Sequence, residues 1–163
     1  MSIDTAISQI AALLGAQIVT SPAVLDQHAQ NESHHIRAQP HAVAFARNTD
    51  DVSAVLRICN DQGCPVTAWG TGTSLEGQHL AVRGGISLDM MGMNRVLAVN
   101  AQDMDAVVQP GVTRMQLNTE LRDQGLFFSV DPGANASLGG MASTRASGTT
   151  ALRYGTMRDN IRA

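Results

Sequence analysis

Two stretches of this chain leave the backbone almost bare: Trp69-Gly70-Thr71-Gly72-Thr73-Ser74, and the run from Asp131-Pro132-Gly133 through Ala146-Ser147-Gly148. Glycine permits a positive φ and puts no side chain between the main chain and whatever approaches it. Successive backbone N–H groups can then converge on an anion such as a phosphate. Two such runs in 163 residues point to two places where backbone meets ligand, and the ligand class inferred is a dinucleotide.

The patterning around the runs is that of an α+β protein. Ser2 is placed to cap a first helix, with Ile3, Ala6, Ile7, Ile10, Leu13 and Leu14 at the three-and-four spacing of one buried face and Gly15 ending it. Residues 26–41 are polar and irregular. Val43-Ala44-Phe45-Ala46 reads as a strand. Asn48 then caps a helix with Asp50 and Asp51 in its first turn, running to about Gln62 and stopped by Gly63. Pro65 through Trp69 forms the next strand and feeds the first bare run. Such a β-α-β unit predicts neighbouring parallel strands joined by a right-handed crossover.

Further strands are expected at Gly85–Met90, Val96–Val99 and Ala106–Gln109, with a mixed lobe beginning at about residue 86. Thr113 caps another helix, with Met115, Leu117 and Leu121 at its apolar positions and Gly125 at its end. Phe127-Phe128-Ser129-Val130 leads into the second run. Arg158 through Ala163 carries no closing turn or cap and has the pattern of a chain entering another strand, as in a truncated protein.

Composition narrows the function classes. With 44% hydrophobic and 15% charged residues the chain can bury a core. A net charge of -3 supplies no basic field for nucleic acid. No run reaches the roughly 18 apolar residues of a membrane span, and the start lacks the basic segment of a secretory signal. A cytoplasmic protein, docking on a membrane only through partners, is expected. Cys59 sits at helical spacing with Val52, Val55 and Leu56, and Cys64 follows Gly63 at a turn; both read as packing residues without a disulfide. His28, His34, His35 and His41 cluster in the irregular segment, but no H-x-x-x-H pair is present, so a solvated loop without metal is expected.

Known phosphate loops can be tested against the first run. Gly72 and Gly77 have the spacing of a Walker A loop, but Gln78-His79 stands where Lys-Ser/Thr is needed to reach the phosphates. A Rossmann G-x-G-x-x-G begun at Gly70 places Leu75 where its third glycine belongs. ATP hydrolysis and a simple NAD site are both disfavoured. What remains is a loop offering backbone donors and the hydroxyls of Thr71, Thr73 and Ser74.

The ordered set Pro40-x-x-Val43, Thr49-x-x-Val52, Trp69 through Ser74, Met93-Asn94-Arg95, Gln109-Pro110-Gly111-Val112, Asp131-Pro132-Gly133 and Leu138-Gly139-Gly140 resembles the FAD-linked oxidases of the vanillyl-alcohol oxidase type. Within them it is most similar to the flavin subunits of D-lactate dehydrogenase and glycolate oxidase, as is Ala146-Ser147-Gly148-Thr149 followed by Arg153 through Met157. The resemblance covers about residue 40 to the end and divides the chain into an N-terminal segment, 1–39, and the start of an FAD-binding domain, 40–163. It implies that Trp69, Gly70, Thr71, Gly72, Thr73 and Ser74 wrap the pyrophosphate of FAD. Asp131, Pro132, Gly133, Ala134, Asn135, Ala136, Ser137, Gly139, Gly140, Thr144, Arg145, Ala146, Ser147 and Gly148 would line the flavin and its linker. Thr73 occupies the place of a histidine that tethers FAD in some relatives, which implies non-covalent FAD. Arg145 stands where close relatives often carry asparagine; a salt bridge elsewhere in the fold and a contact with FAD are both open. Tyr154-Gly155 belongs either at the isoalloxazine edge or in the core.

The fold expected is therefore an FAD-binding domain with a parallel β-α-β lobe followed by the start of a mixed, partly antiparallel lobe. The resemblance implies oxidation of a D-2-hydroxy acid, of lactate or glycolate type, by hydride transfer to FAD and on to an electron acceptor. No catalytic residue is expected in this chain, since the substrate-gripping region of the family is not matched, and the chain alone is not expected to turn over. Two other readings stay open: a non-catalytic nucleotide-binding module, and an apo fragment that self-associates over apolar surface. A cell-wall precursor reductase using NADPH shares the fold and ranks behind these.

Overall fold

The structure, a computed structural model, describes residues 2–32, 34 and 37–162. It divides into two compact units, Met1–Gly92 and Met93–Ala163. The expected division at residue 39 differs from this: the N-terminal segment is built into the first unit. Helix α1 (Ile3–Leu14) starts where Ser2 Oγ accepts the Thr5 N–H at 3.1 Å, and it buries Ala6 and Ile10 completely. It packs on α3 (Thr49–Gln62). A two-residue strand, β1 (Ile18–Val19), pairs antiparallel with β2 (Ala42–Phe45).

The remaining strands of this unit, β3 (Val66–Trp69) and β4 (Ile86–Asp89), complete a sheet of order β1-β2-β4-β3, with β2, β4 and β3 mutually parallel. The β-α-β expectation of neighbouring strands is thus corrected: β4 lies between β2 and β3. The mixed lobe likewise does not begin at about residue 86, because Ile86–Asp89 is the centre of the first sheet. Its residues Ile86, Ser87, Leu88 and Asp89 are all buried, as a strand flanked on both edges requires. Local patterning reveals a strand but not which strands flank it.

The helix-to-strand turn explains both cysteines. Gly63 takes the left-handed conformation (φ +63), and the Cys64 N–H returns to the Cys59 carbonyl at 2.8 Å. This closes the terminus with an apolar contact between the two positions, a frequent companion of such caps. Both thiols are free and buried. Burial, reinforced by the neighbouring Cys64 thiol, pushes the Cys59 thiol up to about 12, so no thiolate is available near neutral pH. Native protein is expected to consume no thiol reagent such as a chromogenic disulfide at pH 7.5. Both cysteines should react once urea unfolds the chain, and prompt native labelling of Cys59 would contradict the packing described.

The second unit opens with an antiparallel hairpin, β5 (Val96–Asn100) and β6 (Asp105–Val108), bulged between Val96 and Ala98. Thr113 Oγ1 accepts the Gln116 N–H and starts α4 (Arg114–Leu121), which a 3-10 turn extends to Gly125. Leu117 and Leu121 enter a core with Val112, Val130, Leu138, Met141 and Met157. Met115, read as an apolar-face residue, is instead 56% exposed.

Three short helices follow: α5 (Leu138–Ser143), α6 (Ala151–Tyr154) and α7 (Met157–Asn160). The second bare run is therefore not one continuous loop. Gly139 and Gly140 are weak helix formers, but α5 is anchored from outside, Leu138 N–H bonding to Val112 O and Gly139 N–H to Pro110 O, both at 2.8 Å. Nor is Arg158–Asn160 entering a strand: Thr156 and Asp159 form a reciprocal capping box that starts α7. Among the described residues no helix is long and apolar enough to cross a membrane.

Candidate functional site

The carboxyl ends of the three parallel strands are aligned, with Phe45, Asp89 and Trp69 in register across β2, β4 and β3. This is the edge of an open parallel sheet where ligands characteristically bind. The chain leaves it at Trp69 and enters the first bare run. From Gly70 through Glu76 the backbone N–H groups donate to nothing among the described residues. Gly70 to Ser74 are half-buried, so the donors are neither saturated by protein nor freely solvated. Consecutive backbone donors left unpaired in this way are able to converge on an anion. The hydroxyls of Thr71 and Thr73 lie 3.1 Å apart, and Ser74 Oγ donates to Gln78 Oε1.

Trp69 itself is 8% exposed and serves as the floor of the loop. Gly72 has φ +71, and a Cβ there would stand 2.6 Å from Trp69 Cζ2. The glycine is needed for its backbone conformation and for the indole beneath it.

The irregular segment holds the main site residues that sequence reasoning missed. Residues Pro22–Gln27 form helix α2, with proline in the first turn, a start signal present as Ser21-Pro22. His28, expected in a solvated loop, is instead buried, as is His79. The His28 ring lies 4.6 Å from the Trp69 ring and edge-on to Phe45 at 5.8 Å. Its Nδ1 faces the Val24 carbonyl at 2.9 Å and its Nε2 faces Asp89 Oδ2 at 3.0 Å. The ring is thereby held between a backbone carbonyl and a buried carboxylate. The other Asp89 oxygen accepts the Met91 N–H at 2.7 Å. His28 thus touches all three strand ends and props the indole under the loop.

On the other side of the indole, His79 packs edge-on at 4.8 Å and its Nε2 lies 3.0 Å from the Gln30 carbonyl. Gln27, Gln30, Asn31 and Glu32 then wall a cleft of about 230 Å³ against Trp69, Thr71 and Gly72. His41 makes its contact elsewhere. His41 is exposed, its Nδ1 accepting the Gly85 N–H at 2.8 Å, and His34 is exposed. His35 lies outside the described residues.

In the second run the structure gives the small residues internal reasons. A Cβ on Gly148 would fall 1.9 Å from the Asp131 carbonyl oxygen, and one on Gly139 would fall 2.6 Å from Pro110 Cβ. Asn135 Oδ1 accepts the Met115 N–H at 3.0 Å, sealing the start of α4, while Ala136 O accepts the Arg114 N–H at 3.1 Å. Asp131 Oδ1 accepts the Gly133 N–H at 3.0 Å and pairs with Arg114 at 3.4 Å. Ser137 is buried against Thr113. Residues 131–137 thereby gather on the start of α4. Pro132 and Ala134 make none of these contacts.

Thr144, Arg145, Ala146 and Ser147 close α5, with Arg145 and Ser147 exposed. Tyr154 is not a core residue: it is 40% exposed and packs edge-on to Phe127 at 5.5 Å. A larger groove of about 500 Å³ runs along β5 from Asn94 to Val99, but none of the expected site residues line it. The sheet edge is set apart from that groove by its unpaired donors.

Comparison with known proteins gives the cofactor class of the domain, FAD. The family described as FAD binding domain matches residues 40–163. A probable mitochondrial D-lactate dehydrogenase of Danio rerio is 45% identical over 161 residues, covering 98% of this chain and 32% of its own length. The glycolate oxidase subunit GlcD of Bacillus subtilis (strain 168) is 33% identical over 127 residues, covering 77% of this chain and 27% of its own length. Among solved structures, an alkyldihydroxyacetonephosphate synthase superposes with a TM-score of 0.85 at 22% identity, covering 98% of this chain and 35% of that one. The chain spans about a third of the length of such relatives.

Proposed function

The chain belongs to the FAD binding domain family, of the vanillyl-alcohol oxidase type, and on that footing we propose that it is the FAD-holding portion of an oxidoreductase acting on a D-2-hydroxy acid of lactate or glycolate type. The carrying observation is the run of unpaired backbone donors from Gly70 through Glu76 at the carboxyl edge of the parallel sheet. FAD, when bound, supplies the hydride-accepting chemistry. The protein's part is to hold it.

In this reading the N–H groups of Gly70 to Ser74, with the hydroxyls of Thr71 and Thr73, replace the water around the pyrophosphate. Trp69, braced by His28 and His79, keeps those donors in place before the ligand arrives. Such preorganisation raises affinity because less ordering remains to be done on binding. Thr73 offers no nucleophilic nitrogen, so FAD is held without a covalent bond.

The names of the relatives, D-lactate dehydrogenase and glycolate oxidase subunit, support a hydroxy acid as the reductant of the whole protein and an acceptor that takes the electrons onward. The test is a titration of the purified chain with FAD, and with FMN for comparison, followed by flavin fluorescence and absorbance. Saturable binding of FAD at least about tenfold tighter than FMN is expected, since FMN lacks the adenosine and the second phosphate. Equal affinities, or none, would remove the reading.

A further inference from the structure

The cleft beside the first bare run carries one charged side chain among the described residues, and it is an acid. Glu32 stands there with the neutral amides of Gln27, Gln30 and Asn31, against Thr71 and Gly72 of the run. All of these residues belong to the first unit. Glu32 is exposed, and its carboxylate meets no hydrogen-bond donor and no cation among the described residues. The fold itself makes no use of the charge.

An anion held at this run is met by neutral groups. The chain contains no lysine, and Gln78-His79 stands where a Walker loop places the lysine that reaches terminal phosphates. None of the first unit's arginines lines the cleft among the described residues. Arg37, the arginine that follows this wall in the chain, is turned to Asp26 at 2.7 Å. What remains is the set of backbone N–H groups from Gly70 through Glu76, with the hydroxyls of Thr71 and Thr73. Such dipoles hold an anion by orientation. They bring no net charge to offset a further negative one.

We propose that Glu32 is a specificity-determining residue, admitting a diphosphate capped at both ends and rejecting one that ends in a free phosphate. This rests on the FAD reading above. A capped diphosphate, as in FAD, carries about two negative charges near neutral pH, and a free terminal phosphate adds up to about one more. Beside a carboxylate, with no cation on the cleft, that additional charge is repelled. The neutral amides of the same wall offer no such objection to a sugar or another uncharged cap. Selection here comes from what the wall repels as well as from what the run attracts.

The experiment uses ADP-ribose and ADP, which share the adenosine and the diphosphate and differ in whether the second phosphate is capped. Each displaces FAD from the full chain without divalent metal, followed by flavin fluorescence, in wild type, Glu32→Gln and Glu32→Asp. Wild type is expected to prefer ADP-ribose by about tenfold, and Glu32→Gln by about threefold or less. Glu32→Asp keeps the charge and should keep most of the preference. Raising salt from about 0.05 M to about 0.5 M should narrow the wild-type preference, because an exposed carboxylate is screened. The same change should leave the ratio of Glu32→Gln nearly where it was.

Because the Glu32 carboxylate has no partner among the described residues, both variants should melt where wild type does. A lost preference at unchanged melting temperature cannot come from damaged folding. An ADP-ribose to ADP ratio that is the same in wild type and Glu32→Gln overturns the inference and leaves the FAD reading in place. So does a wild-type chain that binds ADP as tightly as ADP-ribose, or one from which neither displaces FAD. A wild-type chain that binds no FAD overturns the functional reading and this inference with it.

Discussion

Replacing Gly72 by alanine is expected to cost the chain at least tenfold in FAD affinity. Two penalties add. An L-residue at φ +71 costs about 1 kcal/mol from its own Cβ. The same Cβ would stand 2.6 Å from a carbon of the Trp69 ring, which is held from both sides by His28 and His79. Displacing a packed side chain typically costs a further ~1–3 kcal/mol. The loop can escape only by moving its donors, and each 1.4 kcal/mol lost from binding is a factor of about ten.

Gly125→Ala is the matched control, since Gly125 has φ +70 and nothing within 4 Å of its would-be Cβ. It should show the backbone cost alone, with FAD affinity unchanged. Calorimetric titration of both variants, with the fluorescence of the single tryptophan as a check on the loop floor, decides the matter. If Gly72→Ala binds FAD as tightly as wild type, the first run is not the pyrophosphate cradle.

The second large effect is on stability. Asp89→Ala should destabilise the first unit by about 3–5 kcal/mol, since it leaves two polar groups without their partner at roughly 1–3 kcal/mol each. His28 would keep a buried ring with its Nε2 unanswered, and the Met91 N–H would lose its acceptor. At roughly 2–4 °C per kcal/mol for a chain of this size, the melting point should fall by about 6–20 °C.

Because Trp69 stacks on His28 and is the only tryptophan, its emission follows this unit during urea unfolding. A double variant, His28→Ala with Asp89→Ala, should be less destabilised than the sum of the two single changes, since neither partner is then left without the other. A cost below about 1 kcal/mol for Asp89→Ala would show the pair to be dispensable. The same variant should weaken FAD binding less than Gly72→Ala does, because it removes a brace of the loop and leaves the loop's own conformation intact.

Much of the fold was legible in the residues, and the reason is locality. Ser2, Asn48 and Thr113 cap the helices they were expected to cap, each accepting a backbone N–H three residues on. Gly15, Gly63 and Gly125 end helical segments with positive φ. The strands at 42–45, 66–69, 86–89, 96–100 and 105–108 lie within a residue or two of their expected places. The first run was visible because its small residues are consecutive in the sequence. That its donors are left unpaired from Gly70 to Glu76 needed the hydrogen bonds to be seen.

The second run shows where composition misleads. Its small residues suggested backbone wrapping along a ligand, yet Gly139 and Gly148 are small because Pro110 and Asp131 press on them, and Asn135 is polar because α4 needs a cap. A glycine required by the protein's own backbone and one required by a ligand look alike in sequence. Arg145 is the converse case. Its backbone is left-handed, a conformation glycine or asparagine adopts more readily, and nothing in the local pattern announces a positive φ.

The sequence by itself determined the local elements, their caps, the inert cysteines and the family to which the chain belongs, because each depends on residues a few positions apart or on a short ordered motif. Only the tertiary structure decided that β4 lies between β2 and β3 and that His28 is buried on Asp89, 61 residues away, against the Trp69 ring at the start of the first bare run. Strand order and burial are set by which surfaces exclude water together. That is a property of the assembled chain, and no window of residues encodes it.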